Sequence, residues 1–223
     1  MGDKRLNDLL RWSIENTEST AFPNGPSTGA EAQAPPPTNL TPELMAALMG
    51  GPSDADLMKG SIEIINDPEV SLENKLIAFD NFEQLIENLD NANNIANLDL
   101  WTPLLEHLRN EERELRKMAA WCVGTAVQNN ERTQERLLAM GGLTPLVEMA
   151  LKEDEAEDVR RKAIYALSSA VRNYQPSMDL CTEELNKRGF TAAKVDAADM
   201  DAVDVVIHGL REKVKAAAAA ASA

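Results

Sequence analysis

The chain has 223 residues, enough for one substantial domain with a real core, or for a domain and a tail. Charged residues make up 26% and the formal net charge is −15, so phosphate backbones and anionic lipid repel it. Nucleic acid and membrane surfaces are therefore excluded as expected partners, and the helix-favouring excess of Leu, Ala, Met, Glu and Asn over β-branched residues points to an all-α fold.

Two cysteines, Cys122 and Cys181, each sit in an apolar helical pattern and read as buried free thiols of a reducing compartment. No apolar run reaches the roughly 18 residues of a membrane span. The opening "MGDKRLNDLLRW" lacks the apolar core of a signal peptide. A soluble, cytoplasmic, monomeric protein is expected.

The first predicted helix covers 3–16, "DKRLNDLLRWSIEN", with Leu6, Leu9, Leu10, Ser13 and Ile14 on one stripe and Trp12 off its centre. A Pro/Gly/Ser-rich stretch then runs to about residue 40; it is too poor in apolar residues to offset its ordering entropy and reads as a linker. The tethered helix needs a partner, either its own domain or another protein. Residues 41–56 follow as a cap, with Thr41 at the helix start and Pro42 behind it. "SDADLMKGSIEIIND" is a helix capped by Ser53 or Asp54, and Asp67-Pro68 breaks the chain. "SLENKLIAFDNFEQLIENLDNANNIANL" reads as one long helix. Restarts are expected at Thr102-Pro103 and Thr144-Pro145, with a stop at Gly141-Gly142 between them. No segment reads as a strand.

Landmarks recur. An offset of 42 carries Thr102 to Thr144, Pro103 to Pro145, Ala78 to Ala120, Phe79 to Trp121 and Leu85 to Val127. The next step, of 44, carries Trp121 to Tyr165 and the "RK" at Arg116 to the "RR" at Arg160. A helical unit of this period indicates an armadillo/HEAT-like solenoid, because one such unit cannot bury its apolar face alone. Units are expected near 57–99, 99–141 and 141–190, with a weaker one at 190–215 and a fraying low-complexity alanine tail at 216–223.

On the recurring helix, Phe79, Trp121 and Tyr165 share a register; Glu83, Thr125 and Ser169 lie four residues on, and Glu87, Asn129 and Asn173 another four. Spacing of four keeps them on one face. For the aromatics the core is the favoured reading, since large aromatics are mostly buried. Asn88, Asn91, Gln128 and Arg172 are surface candidates, although capping accounts for part of the Asn-rich "ENLDNANN". His107 and His208 have no partner at metal-ligand or triad spacing, and no phosphate-binding glycine loop occurs. Neither an enzyme, a metal nor a cofactor is expected.

"LLRWSI", "NFEQLIENLDNANNIANLDLWTPLLEHL", "GTAVQNNE" and "RRKAIYALSSAVRN" together resemble the armadillo-type nucleotide-exchange factors of the seventy-kilodalton heat-shock chaperone, in their fungal cytosolic form. The resemblance spans all but about the last 30 residues. It implies a co-chaperone that binds the chaperone's ATPase domain through the concave repeat face, promoting ADP release, with a link to translation. It implies that residues 1–40, through the Leu6, Leu9, Leu10, Trp12 and Ile14 helix, compete for the substrate-binding domain and help release client. Taken with the register above, this puts the expected chaperone-binding face at Ala78, Phe79, Glu83, Glu87, Asn88, Asn91, Trp121, Thr125, Gln128, Asn129, Tyr165, Ser169, Arg172 and Asn173, with Ala78→Arg or Arg172→Ala expected to weaken binding. The alternative is an armadillo adaptor for extended peptides, as in nuclear import. Such adaptors carry Trp and Asn four apart, whereas this chain has Trp121 with Thr125.

Overall fold

A computed structural model describes residues 52–221. The expected helix at 3–16, the linker and the Thr41 start lie outside the described residues. Helix α1 (Asp54–Asn66) begins at a capping box: Ser53 Oγ accepts the Asp56 N–H at 3.2 Å, and the Asp56 carboxylate accepts the Ser53 N–H at 3.3 Å. Ser71 caps α2 (Leu72–Ile86). The single long helix expected from residue 71 is in fact two. Asn88 turns out of helical geometry and its Oδ1 accepts the N–H groups of Asp90 and Asn91, starting α3 (Leu89–Asn94).

Helix α4 (Trp101–Glu106) runs into a 3-10 turn at His107–Arg109. It starts one residue before Thr102, and α7 (Leu143–Leu151) starts one before Thr144. Neither threonine caps its helix. The apolar Trp101 and Leu143 are buried, and their packing extends each helix past the expected start. The prolines still fall in the first turn, where a missing N–H costs nothing. Between and after them come α5 (Arg113–Ala126), α6 (Glu131–Ala139), α8 (Glu157–Val171), α9 (Gln175–Lys187) and α10 (Met200–Ala221). Gly141, at φ +71°, ends the α6 segment where a left-handed residue was expected.

Among the described residues there is no strand, and the all-α solenoid expected from the sequence is what forms. Helices α3, α4 and α5 begin at Leu89, Trp101 and Arg113; α6, α7 and α8 begin at Glu131, Leu143 and Glu157, steps of 42, 42 and 44. The long members pack in series, α2 on α5, α5 on α8 and α8 on α10. One core runs through the stack, from Phe82 and Trp101 through Val123 and Leu146 to Ile164 and Val203. Both cysteines are buried and free within it.

The terminal unit differs from the weaker repeat expected at 190–215. Its short helix is α9, its middle helix is absent, and residues 190–199 cross as irregular chain to α10. Helix α10 continues through the alanine tail to Ala221. Its Val203, Ile207, Leu210 and Val214 are buried, so the tail prolongs a packed helix. No helix among the described residues is long and apolar enough to cross a membrane.

Candidate functional site

The shared aromatic register splits on folding. Phe79 is fully buried, edge-on to the His107 ring with centroids 5.5 Å apart. Its expected place on a binding face is therefore corrected: the 3-10 turn after α4 closes over it. Ala78 is buried as well and is corrected too, and Ala78→Arg would drive a guanidinium into the core as well as testing an interface. Trp121 and Tyr165 are half-buried. The Lys162 ammonium lies 3.5 Å from the Trp121 ring centroid and 5.7 Å from that of Tyr165. Partial burial pulls Lys162 below the usual lysine value, with the Glu83 carboxylate opposing. Gly124 makes room for this arrangement: a Cβ there would lie 2.5 Å from the Tyr165 ring.

The polar register forms a rung that changes level. Glu83, buried to 5% exposure, accepts the Thr125 hydroxyl at 2.6 Å. Thr125 lies 3.5 Å from the Tyr165 hydroxyl, which donates to Gln128 Oε1 at 3.3 Å. The rung thus links α2, α5 and α8 through Tyr165. Ser169, the expected third member, is buried below it, and its carbonyl accepts from Gln134. Glu83 and Ser169 are corrected to buried positions; Thr125, Tyr165 and Gln128 keep accessible surface.

Glu87, Asn129 and Asn173 are exposed at the helix ends. Asn129 and Asn173 have φ of 51° and 58°, the left-handed stop that asparagine tolerates better than most residues. Asn88 is a helix cap, and Asn91 Nδ2 donates to Asp54 at 2.8 Å and to the Leu85 carbonyl at 2.9 Å. The asparagine-rich stretch is therefore largely occupied in joining α1, α2 and α3. Arg172 is also engaged within the chain, with Asp204 and Met200 of α10 and with Ser168. Leu6, Leu9, Leu10, Trp12 and Ile14 lie outside the described residues.

Two devices escaped the sequence reading. Arg116 makes a two-pronged ion pair with Glu155 of the next unit, at 2.7 and 2.8 Å, and donates to the carbonyls of Asn110 and Glu111. Burial raises the Glu155 carboxyl, but Arg116 and the Ala156 N–H outweigh that and hold it below the usual range. The repeated basic pair at Arg116 and Arg160 was its only trace in the sequence. Arg160, in the matching place, donates to the Ala150 carbonyl and has no acidic partner among the described residues. The second device is Gln134, which donates to the carbonyls of Ser169 and Arg172 and so closes the end of α8.

Between α5, α8 and α10 opens a groove of about 910 Å³, floored by Trp121, Lys162 and Tyr165 and walled by Arg211 to Lys215 of α10. No group of His, Cys, Asp and Glu among the described residues could hold a metal.

A model of the nucleotide exchange factor Fes1 matches residues 6–95, and one of the SIL1/FES1/HPBP1 C-terminal domain matches residues 91–181. The chain is 70% identical to the Hsp70 nucleotide exchange factor FES1 of Gibberella zeae, across 96% of this chain and 99% of that one. It is 54% identical to the Neurospora crassa Hsp70 nucleotide exchange factor fes-1, across 96% and 100%. The Saccharomyces cerevisiae FES1 is 47% identical, across 76% and 57%. Among solved structures, an engineered protein (Northeast Structural Genomics Consortium target OR329) is 15% identical with a TM-score of 0.52, covering 78% of this chain and 71% of that one. That likeness is one of fold.

Proposed function

The chain belongs to the Fes1 family of Hsp70 nucleotide exchange factors, and from that premise we propose that it is a co-chaperone that releases ADP from the Hsp70 ATPase domain. The observation that carries this reading is 70% identity to a relative of that name over nearly the whole of both chains. The contact face is the one formed by α2, α5 and α8. Its accessible side chains are Trp121, Thr125, Gln128 and Tyr165, with Glu87, Asn129 and Asn173 at its end. These sit on helices fixed to one another by the Glu83–Thr125–Tyr165 rung, so the face meets its partner as a rigid template.

The mechanism needs no reacting group. A template that binds the ADP-free conformation of the ATPase domain more tightly than the ADP-bound one shifts the equilibrium towards release. Each tenfold of preference corresponds to about 1.4 kcal/mol of differential binding. In this reading the protein is not an enzyme, requires no cofactor, and acts in the cytoplasm as a monomer. The apolar stripe of Leu6, Leu9, Leu10 and Ile14 acts separately, by imitating an extended apolar client at the substrate-binding domain.

The test is release of labelled ADP from purified Hsp70 with and without this protein. Acceleration at micromolar protein is expected; an unchanged rate would reject the reading.

A further inference from the structure

We propose that the groove between α5, α8 and α10 receives an acidic, partly apolar segment on the surface of the Hsp70 ATPase domain. The inference rests on the chaperone-binding reading and specifies the chemistry of the surface it meets. The argument begins with charge. This chain carries a net −15, yet in the groove Lys162 on the floor, with Lys117, Arg161, Arg211 and Lys215 around it, outnumbers the carboxylates Glu157, Asp158 and Glu212 by five to three. Neither Arg211 nor Lys215 has an ion pair among the described residues, and Arg161 reaches Glu157 only at 3.8 Å with most of its surface exposed. Among the described residues Lys162 has no carboxylate within bonding distance, and it rests on Trp121 instead. With Asp158 already engaged by Lys117 at 3.1 Å, the excess of cations in the groove of an otherwise acidic chain forms a local positive field, which steers an acidic partner while the rest of the surface repels it.

The floor supplies the rest of the recognition. Trp121 and Tyr165 are amphipathic, rigid and half-buried, the residue types that anchor interfaces. An incoming carboxylate would meet Lys162, already partly desolvated, at a smaller dehydration cost than at an exposed lysine. Helix α10 is essential to this shape. Its buried Val214 fixes the segment from Arg211 to Lys215 against the repeat stack, so the wall stands at a set distance from Trp121.

The test uses the full chain and the purified Hsp70 ATPase domain. The dissociation constant is measured at low and at physiological ionic strength for the wild type, for the triple variant Arg161→Glu/Arg211→Glu/Lys215→Glu, and for Trp121→Ala. A control variant, Arg132→Glu/Arg136→Glu/Lys194→Glu, makes the same charge change at exposed positions outside the groove. Circular dichroism checks that helix content is kept. The groove variant should bind roughly tenfold or more weakly and lose most of the salt dependence. Trp121→Ala should weaken binding while keeping the salt dependence, and the control should bind within about twofold of wild type. Wild-type affinity and salt dependence in the groove variant would overturn the inference and leave the exchange function standing. Equal weakening by the control would also overturn it, since net charge alone would then explain the loss. If the wild type itself does not bind, the chaperone reading fails and this inference with it.

Discussion

At the scale of single residues, position in the stack decides what each side chain does. Phe79, Trp121 and Tyr165 share a register, yet one is core and two border a groove, because His107 covers the first and Lys162 the others. Gly124 is the counterpart of that choice. Gly124→Ala gains about 1 kcal/mol of helix propensity but displaces the Tyr165 ring, at roughly 1–3 kcal/mol. A net loss of about 1 kcal/mol is expected in urea titration, with weaker chaperone binding, and a stabilised variant would show that the ring moves freely. Gln134→Leu leaves two carbonyls at the end of α8 without their donor and should cost about 1–3 kcal/mol by the same measurement.

His107 makes a pH prediction. It is buried, 2.8 Å from Asn66 Oδ1 through Nε2 and 3.2 Å from Asn110 Nδ2 through Nδ1. The neutral ring satisfies both, donating to Asn66 and accepting from Asn110. Burial lowers its proton affinity, the Lys75 charge adds to this, and Glu106 opposes it. A lowered folded value means stability present above the ordinary histidine range and lost as pH falls through it. The melting temperature should therefore drop between roughly pH 7 and pH 5, and His107→Gln should flatten that slope. An unchanged slope in the variant would assign the effect elsewhere.

At the scale of elements, neighbouring units are held by clasps whose halves lie one repeat apart. Arg116 and Glu155 form the most buried of these pairs. Glu155→Ala strands a guanidinium with little access to water, and should cost about 2–3 kcal/mol. That is less than the roughly 3–5 kcal/mol of a fully buried pair, because Arg116 keeps its bonds to the Asn110 and Glu111 carbonyls. The missing counterpart at Arg160 belongs to the terminal unit, where α10 packs directly without a middle helix. Its apolar side chains make α10 part of the fold. Removing residues 200–223 should lower stability on the order of 5 kcal/mol, and an unchanged melting curve would make α10 a loose appendage.

At the scale of the whole molecule, the net charge of −15 acts against compactness. Raising ionic strength from about 0.01 to about 0.15 M should raise the melting temperature, since exposed like charges are screened more than buried clasps. A fall would mean that the inter-repeat ion pairs outweigh the general repulsion.

By itself the sequence determined the helical class, the period of 42 to 44 residues, a first cap at Ser53 or Asp54, which the structure resolves to Ser53, and a stop at Gly141-Gly142, where Gly141 takes the left-handed turn. These depend on local propensity and on periodic apolar residues, both of which are legible along a single chain. Resemblance of whole motifs supplied the family. Tertiary structure alone decided that Phe79, Ala78, Glu83 and Ser169 are buried, that Arg172 is committed to α10, and that α10 walls a groove beside Trp121. Those outcomes turn on contacts between residues tens of positions apart, such as Arg116 with Glu155 and Thr125 with Glu83. Local pattern places a residue on a helix face; the angle at which the next helix stacks decides whether that face stays open.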